Sequence, residues 1–109
     1  MHIPVLRDEC VDMLHPQNGK TYLDATFGWG GHTQEILRRA PEATLVGLDR
    51  DADTLKLVQQ RFPKNLNKNL FLFHGNFKEI DSLRKQSPVK SFDGILIDLG
   101  FSSLQIAVV

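Results

Sequence analysis

The sequence predicts an α/β fold, a parallel sheet whose strands alternate with helices in the order β-α-β-α-β-α-β and are joined by right-handed crossovers. Three observations predict it. Short apolar runs of strand length alternate with amphipathic stretches along the whole 109 residues. Each apolar run closes on a polar or glycine-bearing stretch, at Asp24, Asp49, His74-Gly75 and Asp98. The length is that of one domain, and 41% hydrophobic with 24% charged residues excludes intrinsic disorder.

The elements follow in order. Leu6, Cys10, Met13 and Leu14 fall at i, i+4, i+7 and i+8, one face of a short helix. Pro16 and Asn18-Gly19 punctuate the chain after it. Thr21-Tyr22-Leu23 is a first strand, running into Asp24-Ala25-Thr26 and a glycine cluster. A helix is expected over residues 33–39, ended near Pro41. Residues 43–48 form a second strand that closes on Asp49-Arg50-Asp51. Residues 51–62 are helical, with Leu55, Val58 and Phe62 on one face and acids at the start, where the helix dipole favours them. A polar loop spans 63–69. Residues 70–73 then make an apolar run expected to be a strand buried on both faces. Phe77, Ile80 and Leu83 indicate one or two helical turns, followed by a polar loop over 84–91. Residues 94–97 are a fourth buried strand ending at Asp98-Leu99-Gly100.

Ligands of such sheets bind beyond the carboxyl ends of the strands. After strand 1 stands Asp24-Ala25-Thr26-Phe27-Gly28-Trp29-Gly30-Gly31-His32. Glycines allow a sharp turn and close backbone approach to a ligand, and the next helix presents unpaired N–H groups there. A tight turn without a ligand is the structural alternative. A dinucleotide fingerprint wants a third glycine where Thr33 stands, so a nicotinamide cofactor fits incompletely. Asp49 lies 21 residues past Gly28, near the spacing at which an acid accepts hydrogen bonds from both ribose hydroxyls. Its structural alternative is capping the following helix, for which Asp51 is already available. At the third strand end, Phe77 suits stacking on an adenine ring and Asn76 offers a donor and an acceptor to its edge; packing beneath the sheet is the competing role of Phe77. Asp98, with Gln105 beyond it, closes the fourth strand and suits a cofactor or a substrate amine, or else caps a loop. The four histidines and Cys10 have no metal-ligand spacing, and a metal site is not expected.

On these residues the chain resembles the MraW (RsmH) family of S-adenosylmethionine-dependent methyltransferases, bacterial and mitochondrial, which methylate the N4 amine of a cytidine in small-subunit ribosomal RNA. The resemblance runs through His2-Ile3-Pro4-Val5-Leu6 with Asp8-Glu9, the glycine turn, Gly47-Leu48-Asp49-Arg50-Asp51, His74-Gly75-Asn76-Phe77, and the stretch from Phe92 to Gln105. It implies a Rossmann-like class I methyltransferase sheet and S-adenosyl-L-methionine as cofactor. The cofactor residues it implies are Gly28, Gly30, Gly31, His32, Asp49, Phe77, Asp98 and Gln105. Asp98 is also the candidate catalytic residue, as a hydrogen-bond acceptor that localises the delocalised N4 lone pair. The acid-or-Asn-Pro-Pro-aromatic motif of many amine methyltransferases reads Asp98-Leu99-Gly100-Phe101 here, so its mechanism is not carried over.

The resemblance also implies that residues 1–109 are the N-terminal, cofactor-binding half of a methyltransferase domain, truncated after the fourth strand. Further strands and an inserted RNA-recognition domain are then absent. An exposed strand-4 edge follows, a site for self-association, and stability is expected to be marginal. Three functional readings stay open: the rRNA cytosine-N4 methyltransferase, a non-catalytic truncated product that binds cofactor weakly or only meets a partner, and, ranked last because of Thr33, a nicotinamide-dependent oxidoreductase fragment. Lys plus Arg and Asp plus Glu are 13 each, so net charge gives no footprint for RNA. No apolar stretch approaches a membrane span. The compartment implied is the cytoplasm for a bacterial member and the mitochondrion for a eukaryotic one, with no import segment ahead of His2.

Overall fold

The computed structural model describes residues 4–89, 91–100 and 103–108, with side chains over 9–89 and 91–97. Five strands, β1 (Thr21–Asp24), β2 (Thr44–Asp49), β3 (Leu70–His74), β4 (Gly94–Gly100) and β5 (Ser103–Val108), form one sheet in the order β3-β2-β1-β4-β5. The first four are mutually parallel, as the alternating pattern predicts, and β5 runs antiparallel to β4. Helices α1 (Pro4–Leu14), α2 (Gly31–Arg39), α3 (Ala52–Val58) and α4 (Ile80–Gln86) connect or precede them. Short 3₁₀ turns at Gln59–Arg61 and Phe77–Glu79 extend α3 and lead into α4.

The strand period of two divides the apolar residues between the sheet faces. Tyr22, Leu45 and Leu70, adjacent in register, share one face with Val11 and Leu14 of α1, Ile36 and Leu37 of α2, and Leu55 and Val58 of α3. Leu23, Val46 and Leu48 share the other with Leu83 of α4. At the amino ends of the central strands the Asp93 carboxylate accepts the Thr21 N–H at 2.9 Å, which ties the start of β4 to β1. That bond holds the Asp93 carboxyl below its ordinary range.

Several expectations are corrected. The edge of β4 is not exposed: β5 pairs along it from Gly94↔Val108 to Gly100↔Ser103, so the sheet does not stop at four strands and the proposed self-association edge is occupied. The tail's alternation of apolar and polar residues was too short to separate from a loop. Residues 70–73 are not buried on both faces. β3 is the outer strand, and only Leu70 is fully covered. Met13, assigned to the buried face of α1, is 73% exposed, while Val11 is fully buried. Leu6 lies outside the described side chains. Helix α2 starts two residues before the expected 33, because Gly30 caps it in the left-handed conformation.

Candidate functional site

The site is built where β1 and β2 end side by side. β1 closes on Asp24, which is fully buried and accepts the Thr33 hydroxyl at 3.0 Å from the first turn of α2. The chain then turns back through Ala25, whose N–H donates to the Leu96 carbonyl, and Phe27, whose N–H donates to the Leu48 carbonyl at 2.7 Å. Gly28 and Gly30 have φ of +54° and +79°, the left-handed region that side-chain-bearing residues rarely enter. A Cβ on Gly30 would also meet the Phe62 ring at 2.8 Å. The glycine spacing read in the sequence thus has a backbone cause.

Asp49 stands at the end of β2, half-buried. One carboxylate oxygen accepts the Gly28 N–H at 2.6 Å and the other accepts the Asp51 N–H at 2.8 Å. Two backbone donors therefore fix the carboxylate, and each oxygen keeps a lone pair for a further donor. Asp51 fulfils the capping role instead, accepting from the N–H groups of Asp53 and Thr54. Those bonds, the Thr54 N–H foremost, hold its carboxyl below the ordinary range, with His74 adding a smaller Coulombic effect. The capping role considered for Asp49 therefore falls to Asp51.

Beneath the turn lie aromatic rings. Phe27 and Phe62 meet edge-to-face with centroids 5.8 Å apart. A Cβ on Gly47 of β2 would stand 2.4 Å from the Phe27 ring, so glycine there makes room for it. Gly31 and His32 open α2 and are half-buried. Phe77 begins the 3₁₀ turn after β3 and is 41% exposed, so it is not packed under the sheet. Asn76 is engaged as a cap: its side-chain oxygen accepts the Lys78 N–H, and Glu79 returns a bond to its backbone N–H. One lone pair of the amide oxygen offered to an adenine edge is therefore already used within the turn.

Asp98 and Gln105 lie on the backbones of β4 and β5, and their side chains fall outside the described residues. The register Asp24↔Leu96 puts Asp98 two residues farther along than the end of β1, at the carboxyl edge of the sheet. Gln105 is paired with Ile97. The structure thus gathers Gly28, Gly30, Gly31, His32 and Asp49 at one turn. Sequence reasoning quoted Asp24 and Phe27 within this stretch without giving them a role, and did not bring Thr33 or Phe62 to the site. Thr33 counted only as a missing glycine, although a hydroxyl nine residues after a strand-end acid is a readable signal. Among the described residues no group of His, Cys, Asp and Glu is placed to hold a metal, and no helix is long and apolar enough to cross a membrane.

The model of the MraW methylase family matches residues 1–108. The chain is 41% identical to the 12S rRNA N(4)-cytidine methyltransferase METTL15 of Bos taurus, over 97% of this chain and 26% of that protein. It is 39% identical to ribosomal RNA small subunit methyltransferase H of Finegoldia magna, over 96% of this chain and 33% of that protein. The chain therefore spans between a quarter and a third of the length of these relatives. A dimethyladenosine transferase from Plasmodium falciparum shares the fold at a TM-score of 0.63, with 18% identity over 89% of this chain and 42% of that one.

Proposed function

The chain belongs to the MraW methylase family, and from that membership we propose that it is the S-adenosylmethionine-binding part of an rRNA cytidine-N4 methyltransferase. One observation carries the proposal: the Asp49 carboxylate, fixed by the N–H groups of Gly28 and Asp51, stands at the mouth of a turn built from left-handed glycines. A rigid bidentate acceptor beside side-chain-free backbone suits a ribose diol and the chain attached to it. The donor set also fits the cofactor's charge. The half-buried Asp49 carboxylate at the strand end favours a ligand that carries positive charge.

When bound, S-adenosylmethionine supplies a methyl group already activated on sulfur. The protein's contribution is therefore placement, which in such reactions is worth many orders of magnitude in effective concentration. Asp49 holds the ribose. Gly28 and Gly30 let the backbone approach the ligand without a Cβ in the way, and Phe27 and Phe62 hold the turn from below. Phe77, exposed at the end of β3, offers a face to the adenine. Asp98 at the same sheet edge accepts the N4–H of the target amine and raises electron density on its nitrogen. The relatives' names, which specify rRNA and N(4)-cytidine, support this substrate.

Isothermal titration with S-adenosylmethionine tests the reading. Saturable binding by the unaltered chain, lost in Asp49→Ala and retained for S-adenosylhomocysteine, is the expected result. A flat titration from a chain that melts cooperatively would contradict it. Methyl transfer to small-subunit rRNA, abolished in Asp98→Asn with cofactor affinity unchanged, is the expected sign that Asp98 serves the amine.

A further inference from the structure

We infer that Arg61 is a positioning residue for the methyl-donor site, one whose guanidinium fixes the glycine turn from the end of α3. The inference rests on the cofactor reading above. Between the left-handed Gly28 and Gly30 stands Trp29, the chain's single tryptophan, 60% exposed. Glycines on both sides leave a peptide free to rotate unless something holds it. The N–H groups of Gly28 and Gly30 are held by Asp49 and by the Phe27 carbonyl. The Trp29 carbonyl is held from elsewhere: it accepts from Nη1 of Arg61. Nη2 of the same guanidinium donates to the Gln34 side-chain oxygen of α2 at 2.7 Å.

One planar fork thus joins the turn to the helix that follows it, a geometry a single ammonium does not reproduce. The next residue, Phe62, buries its ring against Phe27 and beneath Gly30. Adjacent residues therefore fix the turn twice, Arg61 from its exposed side and Phe62 from the core. Arg61 itself is exposed, and replacing it removes no core packing. Its effect falls on the shape of the turn rather than on global stability.

Arg61→Met retains the aliphatic stem and removes both bonds. It is expected to weaken S-adenosylmethionine binding by about three- to tenfold, the range of one or two exposed charge-assisted bonds, with Tm unchanged within about two degrees. In the free protein it is expected to raise acrylamide quenching of Trp29 and lower its fluorescence anisotropy, and Arg61→Lys is expected to recover part of both. Unchanged Trp29 quenching in Arg61→Met, or an affinity loss that merely tracks a lowered Tm, would overturn the inference. If the unaltered chain binds no S-adenosylmethionine, the cofactor reading fails, and the Trp29 measurement on the free protein still decides whether Arg61 fixes the turn.

Discussion

The two faces of the sheet are unequally covered. On the face of Tyr22, Leu45 and Leu70, three helices close over the strands, and Val11, Leu45, Leu70, Ile36 and Val58 are all at or below 1% exposure. Among the described residues of the other face, Leu23, Ala25, Val46, Leu48 and Leu83 are buried, while Phe71, Phe73, Ile80, Ile95 and Ile97 are packed there but half-exposed. The closed face also carries the rings beneath the glycine turn, since Phe27 and Phe62 belong to its cluster. Stability and the candidate site therefore share one set of contacts. A defect on the closed face is expected to reach the turn, and a defect on the other is not.

The largest expected effect comes from Leu45→Ala, which removes a fully buried side chain at the centre of the closed face. It is expected to cost about 3–4 kcal/mol in urea unfolding. Ile95→Ala on the half-covered face is expected to cost about 1–2 kcal/mol, less because part of the side chain already meets water. Equal costs would abolish the distinction between the faces. Gly47→Ala comes next. The new methyl would meet Phe27 and Leu72 at 2.4 and 2.7 Å, and moving them is expected to cost about 1–3 kcal/mol. Because Phe27 underlies the turn, the same variant should bind S-adenosylmethionine more weakly than Ile95→Ala does, which titration of both proteins would read.

Smaller effects sharpen the picture at the helix ends. Asp51→Ala removes the two capping bonds of α3 and should lower Tm by a few degrees, since N-caps contribute modestly and this one is exposed. Asp51→Asn should recover most of it. The smallest effect concerns acid. Hydrogen bonds from Arg38, and then from Arg39, bring the Glu35 carboxyl from its ordinary 4.5 to about 2, and Arg39 also pairs with Asp12 of α1. A carboxyl depressed on folding stabilises the native state above its unfolded pKa and loses that contribution as pH falls towards the folded value. Urea unfolding of the native chain should therefore lose this increment between about pH 4.5 and 2. Glu35→Gln should show a flatter acid limb and, above about pH 5, a small stability deficit that no longer changes with pH.

What was legible in the sequence follows from how local its cause is. The glycine turn was legible because left-handed backbone positions demand glycine, and Gly28 and Gly30 occupy them. The capping role of Asp51 was legible because a cap must immediately precede its helix, which Asp51 does. The parallel direction of the first four strands followed from the alternation of elements. By contrast, β5 was not legible, because its pairing partner β4 supplies the regularity that the tail lacks alone. The exposure of β3 depends on which strand lies outermost, a property of the whole sheet and not of an apolar run. Phe62 was legible as part of the apolar face of the 51–62 helix, and Arg61 carried no local signal. Their meeting with Trp29 and Gly30 is set only when α3 folds back beside the turn.

The most direct test of the cofactor site is an amide ¹H–¹⁵N spectrum of the labelled chain titrated with S-adenosylmethionine. The account predicts that the largest shifts fall on Gly28 and Asp51, whose N–H groups bond to the Asp49 carboxylate, and on Gly30 and Gly31 of the same turn, with β3's outer residues following and the start of α1 unmoved. Shifts confined to residues remote from the ends of β1 and β2, or a folded spectrum that does not change at saturating cofactor, would contradict it.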